Sequence, residues 1–176
     1  MESSATQVTP EFTWRLMTGF QQSAAFKAAV ELELFTKIGE GHRTASDIAN
    51  ATGAAERGIR ILADAMTVHG LLTKSGDEYS LSDEAAAFLD KNSQMYIGSA
   101  VEFLMGPAQM RGFEDFTSAV RHGGSQISGE ASLDPESPMW VTFARSMMPL
   151  MMPSAQMIAA RIGLPNDQPI KVLDIA

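Results

Sequence analysis

The chain has 176 residues and a mass of 19.0 kDa, the size of one domain or slightly more. Its 45% hydrophobic and 19% charged residues supply a core and exclude a wholly disordered chain. Twenty-one carboxylates against 13 basic side chains leave a net charge of −8, which disfavours nucleic acid as a partner, and the absence of cysteine excludes disulfides, thiolate zinc sites and thiol nucleophiles.

The first residues, MESSATQVTP, lack the basic-then-apolar pattern of a signal peptide, and no apolar run is long enough to span a membrane. A cytoplasmic protein with no membrane partner is expected. Thr9-Pro10 reads as a helix N-cap followed by proline at the first helical position. Phe12, Leu16, Met17 and Phe20 then follow at helical spacing, and Phe26, Val30, Leu34 and Ile38 continue it as far as Gly39. This stretch reads as two helices, or as one long helix bent near Gly19. A face so apolar needs cover, and a second copy of the chain is the expected cover.

Thr44 and Asp47 form a capping-box pattern that opens a short helix over 45–51, stopped at Thr52-Gly53. A longer helix over 54–69 carries Ile59, Leu62, Ala63 and Met66 on one face and ends at Gly70. Two short runs, 71–74 and 78–81, flank Ser75-Gly76-Asp77 as a β-hairpin. Taken in order, these elements spell a winged helix-turn-helix. Its charges do not suit DNA. Arg57 and Arg60 are matched by Glu56 and Asp64, and Lys74 stands against Asp77, Glu78 and Asp83. A dimeric winged-helix transcriptional regulator is therefore the alternative reading, not the leading one.

Ser82 caps a helix over 83–89, and a longer helical stretch over 95–122 should break or bend at Pro107. A loop of small residues runs from Gly123 to about Asp134, where Ser137-Pro138 starts another helix that stops near Gly163. Pro149 and Pro153 lie inside it, so two helices or one sharp bend are expected around 148–153. Six of the 12 methionines fall between Met139 and Met157, with Trp140 and Phe143 among them. Such a segment suits a buried core or dimer helix, and equally an adaptable wall for a flat apolar ligand. The apolar run from Ile170 to Ala176 reads as a strand.

No catalytic constellation is complete. His42, His69 and His122 have no metal-ligand spacing and read as solvated or capping residues. There is no nucleophile elbow and no phosphate-binding loop, and the carboxylate pairs Asp83-Glu84 and Glu114-Asp115 are adjacent in sequence and so do not share a helix face.

A winged helix inside a helical domain, then Phe143-x-x-x-Met147, then Lys171-Val-Leu-Asp-Ile-Ala176, resembles the S-adenosylmethionine-dependent O-methyltransferases of the plant phenolic and bacterial polyketide type. The resemblance implies a mainly α fold: residues 1–165 as a helical, winged-helix dimerisation and substrate-wall domain, and 166–176 as the first strand of an α/β Rossmann-like cofactor domain. It implies a homodimer acting on a small aromatic or apolar hydroxylated acceptor. It places Met105, Phe113, Phe143 and Met147 at the substrate cleft and matches Asp174 to the acidic residue of the cofactor motif. The cofactor's glycine-rich loop and the catalytic base are expected beyond Ala176. This portion alone is then expected to bind no S-adenosylmethionine and to be inactive.

Overall fold

The computed structural model describes residues 8–124 and 137–162 together with Lys171 and Leu173. The first helix, α1 (Glu11–Glu31), is capped by Pro10, whose carbonyl accepts from the Trp14 amide at 2.9 Å, so it starts one residue later than the Thr9-Pro10 pattern predicts. It runs unbroken through Gly19. A solvent-facing glycine costs a helix interior only about 1 kcal/mol against alanine, too little to bend it there.

The break comes instead at Leu32-Glu33. Glu33 adopts the left-handed conformation with φ 56°, a strained setting for a residue with a Cβ. Its carboxylate is held at 2.6 Å by Lys91, whose own amide donates to Thr36 Oγ1 at 3.0 Å. This reversal lets α2 (Leu34–Gly39) bury Leu34, Phe35 and Ile38.

The winged helix follows as its local signals predict. Thr44 Oγ1 accepts from the Asp47 amide at 3.2 Å and opens α3 (Ala45–Thr52), which Gly53 closes at φ 68°. The recognition-type helix α4 (Glu56–Val68) buries Ile59, Ala63 and Met66, three and four apart. Strands β1 (Leu72–Ser75) and β2 (Glu78–Leu81) pair antiparallel with Ser75 opposite Glu78, and Gly76 takes the positive φ, 62°, that a two-residue hairpin turn requires. A bridge from Thr44 to Glu78 and a bond from the Tyr79 amide to Arg43 O, 2.8 Å, fix the wing to the start of α3. Ser82 Oγ then accepts from the Ala85 amide to cap α5 (Asp83–Phe88).

The core is centred on Phe35, Ile48, Ile59, Met66, Leu72 and Tyr79, all drawn from α2 to β2, with Ala29 of α1 and Leu89 at its edges. The stretch expected as one helix broken at Pro107 is three: α6 (Ala100–Leu104), α7 (Pro107–Glu114) and α8 (Phe116–His122). Pro107 does not kink a helix but begins one, in the position where its missing amide costs nothing. Gly106 before it is required, since a Cβ there would lie 2.7 Å from Glu102 O.

The last described helix, α9 (Pro138–Ile162), passes through Pro149 and Pro153 without ending, so of the two alternatives, two helices or one bent helix, the single helix is the one formed. Each proline removes one bond from a helix of 25 residues, which also packs on α6 through Phe143 and Ser146. The predicted strand at 166–176 lies outside the described residues, and so does most of the loop expected after Gly123.

Candidate functional site

Three surfaces carry chemistry or apolar area beyond the core. On the first half of α1, Phe12, Trp14, Leu16, Met17 and Phe20 are each more than half exposed, whereas Phe26 and Val30 further along pack on the core. That leaves about three turns of apolar helix uncovered in a single copy of the chain.

The second surface is the face between α4 and the wing. Asp64 gathers its cations: Lys74 Nζ at 2.6 Å, Arg60 at 3.6 Å, and the hydroxyl of the buried Tyr79 donating at 2.7 Å. The ammonium of Lys74, then the Tyr79 hydroxyl, hold the Asp64 carboxyl below its ordinary value of 3.8, and Lys74 is raised in return. Two of the cations that a DNA-reading winged helix would turn toward phosphates are thus directed at a carboxylate of the same domain.

The third surface is the seam between α9 and the middle helices. Ser99 Oγ donates to Ser146 O at 3.4 Å, and Ser146 is fully buried where the two helices meet. Beside it the Phe143 ring meets Phe103 edge-on at 5.0 Å and Trp140 at 6.1 Å. Further along α9, Met148, Pro149, Met152 and Pro153 face Met95 and Tyr96 across a cleft of about 590 Å³, within the range of small-molecule sites. Burial pushes the Tyr96 phenol up, so it stays neutral and able to donate a hydrogen bond.

The residues singled out in the sequence fall in different places. Phe143 is in the aromatic cluster, 39% exposed, and Met147 is half-buried beside it. Met105 lines a separate pocket of about 280 Å³ with Phe26, Met66 and His69. Phe113 is largely exposed and pairs with Phe116 at 6.1 Å. Asp174 lies outside the described residues. His122 closes α8 on the Ser118 carbonyl at 2.9 Å, a capping role. Sequence reasoning did not find the wall formed by Met95 and Tyr96. Their segment has no periodicity, and only the proline pair in α9 hinted that room would open opposite it.

Comparison with known proteins bears directly on the first two surfaces. Residues 14–91, which span α1 through the wing and α5, match the family model of the O-methyltransferase dimerisation domain. Over that stretch the chain is similar to this family. The chain is 32% identical over 87 residues to the N,N-dimethyltransferase OxyT of Streptomyces rimosus, covering 49% of this chain and 25% of that protein. The mitomycin biosynthesis 6-O-methyltransferase of Streptomyces lavendulae is 30% identical over 120 residues, 68% of this chain and 33% of its own length. Among solved structures, a candidate O-methyltransferase of Nostoc punctiforme superposes with a TM-score of 0.82 at 41% identity, over 89% of this chain and 48% of that one. The chain therefore spans between a quarter and a half of the length of these relatives.

Among the described residues the fold is mainly helical with one two-stranded sheet, matching the helical dimerisation domain of O-methyltransferases. Among the described residues no helix is long and apolar enough to cross a membrane, and no group of histidines and carboxylates is placed to hold a metal ion.

Proposed function

We propose that this chain is the dimerisation and acceptor-wall portion of an S-adenosylmethionine-dependent methyltransferase. It works as a homodimer on a small, largely apolar aromatic acceptor. The observation that carries this reading is the match of residues 14–91 to the O-methyltransferase dimerisation domain, joined to the 41% identity and TM-score of 0.82 that extend the likeness across α6 to α9. Residues 1–165 form that portion, and 166–176 begin the cofactor domain. Oxygen is the favoured methyl acceptor on the family match, and the likeness to an N,N-dimethyltransferase makes nitrogen the competing atom.

Asp174, the residue matched to the S-adenosylmethionine motif, lies outside the described residues. No step of methyl transfer is therefore assigned to this chain. Its residues bind, orient and shield. Phe143 and Met147, four apart on α9, give an apolar wall backed by Phe103; Met105, in its separate pocket, and Phe113, paired with Phe116, do not join that wall. Holding an acceptor in a productive pose accounts for much of the rate in displacements of this kind.

The test uses the protein at the length its gene encodes, with labelled S-adenosylmethionine and a panel of hydroxylated and amino aromatics. Transfer to one class is expected, and Met147→Ala should change the ratio of rates between a narrow and a wide acceptor by about 5- to 100-fold. Absence of transfer to every member of the panel would overturn the reading. An unchanged ratio in a destabilised Met147→Ala would return that residue to the core.

A further inference from the structure

Among the described helices, α7 and α8 bury no residue, whereas α1 to α6 and α9 each bury at least one. The two are 8 and 7 residues long, and helices below about 12–15 residues are marginal in water unless they pack on something. Their end contacts are local. Asp115 Oδ1 accepts from the Ser118 amide at 3.1 Å, and Gly123 closes α8 at φ 71°. A cap stabilises by about 1 kcal/mol, comparable to the cost of fixing one residue, and so cannot hold two helices in place.

Their apolar side chains form one patch. Met110 and Phe113 are three apart on α7, Phe116 and Val120 four apart on α8, and the Phe113 and Phe116 rings join the two pairs at 6.1 Å. Phe113, Phe116 and Val120 are each more than half exposed. The patch starts beside the uncovered half of α1. Met105, two residues before α7, lines a pocket with Gln22, Ser23 and Phe26, within two turns of Phe20. Both uncovered surfaces therefore begin at the same pocket.

Area points to the occupant. At roughly 200 Å² for each side chain, the exposed parts of Phe12, Phe20, Phe113 and Phe116 come to about 500 Å² in one copy. Trp14, Leu16, Met17 and Val120 add about as much again, so two copies covering each other bury about 2,000 Å², the size of a stable interface. The match of residues 14–91 to a dimerisation domain begins inside the α1 stripe, and a copy seated there also reaches the start of α7.

We propose that α7 and α8 fold only against a second copy of the chain, whose α1 stripe packs on Phe113, Phe116 and Val120. In a two-fold pair each α1 meets the other copy's α7 and α8, and the contact is made twice. The winged helix, with its own core, is folded before association; α7 and α8 become helical in it. This inference rests on the homodimer of the proposed function and adds which part of the chain the second copy orders.

The experiment is hydrogen exchange on the 176-residue chain, read by mass spectrometry, with sedimentation equilibrium on the same samples. Amides over 107–122 are expected to exchange at least about tenfold faster in the Leu16→Glu, Phe20→Glu variant than in the pair, while α4 stays protected in both. Phe113→Glu together with Phe116→Glu, at positions that enter no core, should raise the dissociation constant of the pair at least about tenfold. Slow exchange over 107–122 in single copies would overturn the proposal, because the chain would then order these helices itself. A pair in which 107–122 exchange freely would also overturn it, as would a dissociation constant indifferent to Phe113→Glu and Phe116→Glu, and both results leave the homodimer standing. A parent chain that sediments as a monomer overturns the homodimer and the proposal together.

Discussion

Asp64 shows how a single side chain separates two functions that share a fold. It draws Lys74 and Arg60 inward and accepts from a tyrosine hydroxyl that has no water to turn to, Tyr79 being 1% exposed. Tyr79→Phe is expected to cost about 1–2 kcal/mol, read as a lower denaturant midpoint, because it leaves the packing and removes one bond to a charged acceptor. The pH dependence follows from the direction of the shift. The folded carboxyl sits below 3.8, so the unfolded chain binds more protons as pH falls through that value. Its contribution is fully present above the ordinary carboxylate range and is lost as pH drops through the folded pKa. Asp64→Asn should thus be less stable than the parent at neutral pH, and the gap should narrow as the pH falls below the ordinary carboxyl value of 3.8 and through the folded pKa. A gap of constant size across that window would show that the charge of Asp64 contributes nothing.

At the scale of elements, the winged helix was legible because its signals are local. Thr44, Gly53, Gly76 and Ser82 each act within three residues of themselves, as caps or turn residues, and the structure uses all four. The break after α1 was not legible. It depends on Lys91, 58 residues away, holding Glu33 in a conformation its own sequence does not favour. Whether 138–162 forms one helix or two is open in the sequence for a related reason, since helix propensity counts the bonds two prolines remove and not the packing of α9 on α6. Of the candidate site, the spacing of Phe143 and Met147 could be read, but the wall at Met95 and Tyr96 is set by turn bonds and by a glycine under a ring. The α4–wing element carries its own expectation. With Lys74 and Arg60 turned to Asp64 and three carboxylates on the hairpin and its exit, it should show no salt-dependent binding to duplex DNA in an anisotropy titration. Sub-micromolar binding to one duplex, lost in Arg57→Ala, would restore the regulator reading.

At the scale of the molecule, the question is what covers α1. Phe12, Leu16 and Phe20 recur every four residues, so they form one stripe, and each is more than 60% exposed in the single chain. A monomer rarely leaves such a stripe wet, and obligate helical interfaces bury roughly 2,000 Å² or more. The match of residues 14–91 to a dimerisation domain begins inside this stripe and supports a second copy as its cover. Replacing Leu16 and Phe20 together by glutamate should then separate the copies while the winged-helix core, which neither residue enters, keeps its helical signal. Sedimentation equilibrium of the parent chain at micromolar concentration is the most direct test of the account. A mass near twice 19.0 kDa, falling to the single-chain value in the Leu16→Glu, Phe20→Glu variant, is the expected result. A parent chain that sediments as a monomer would contradict it.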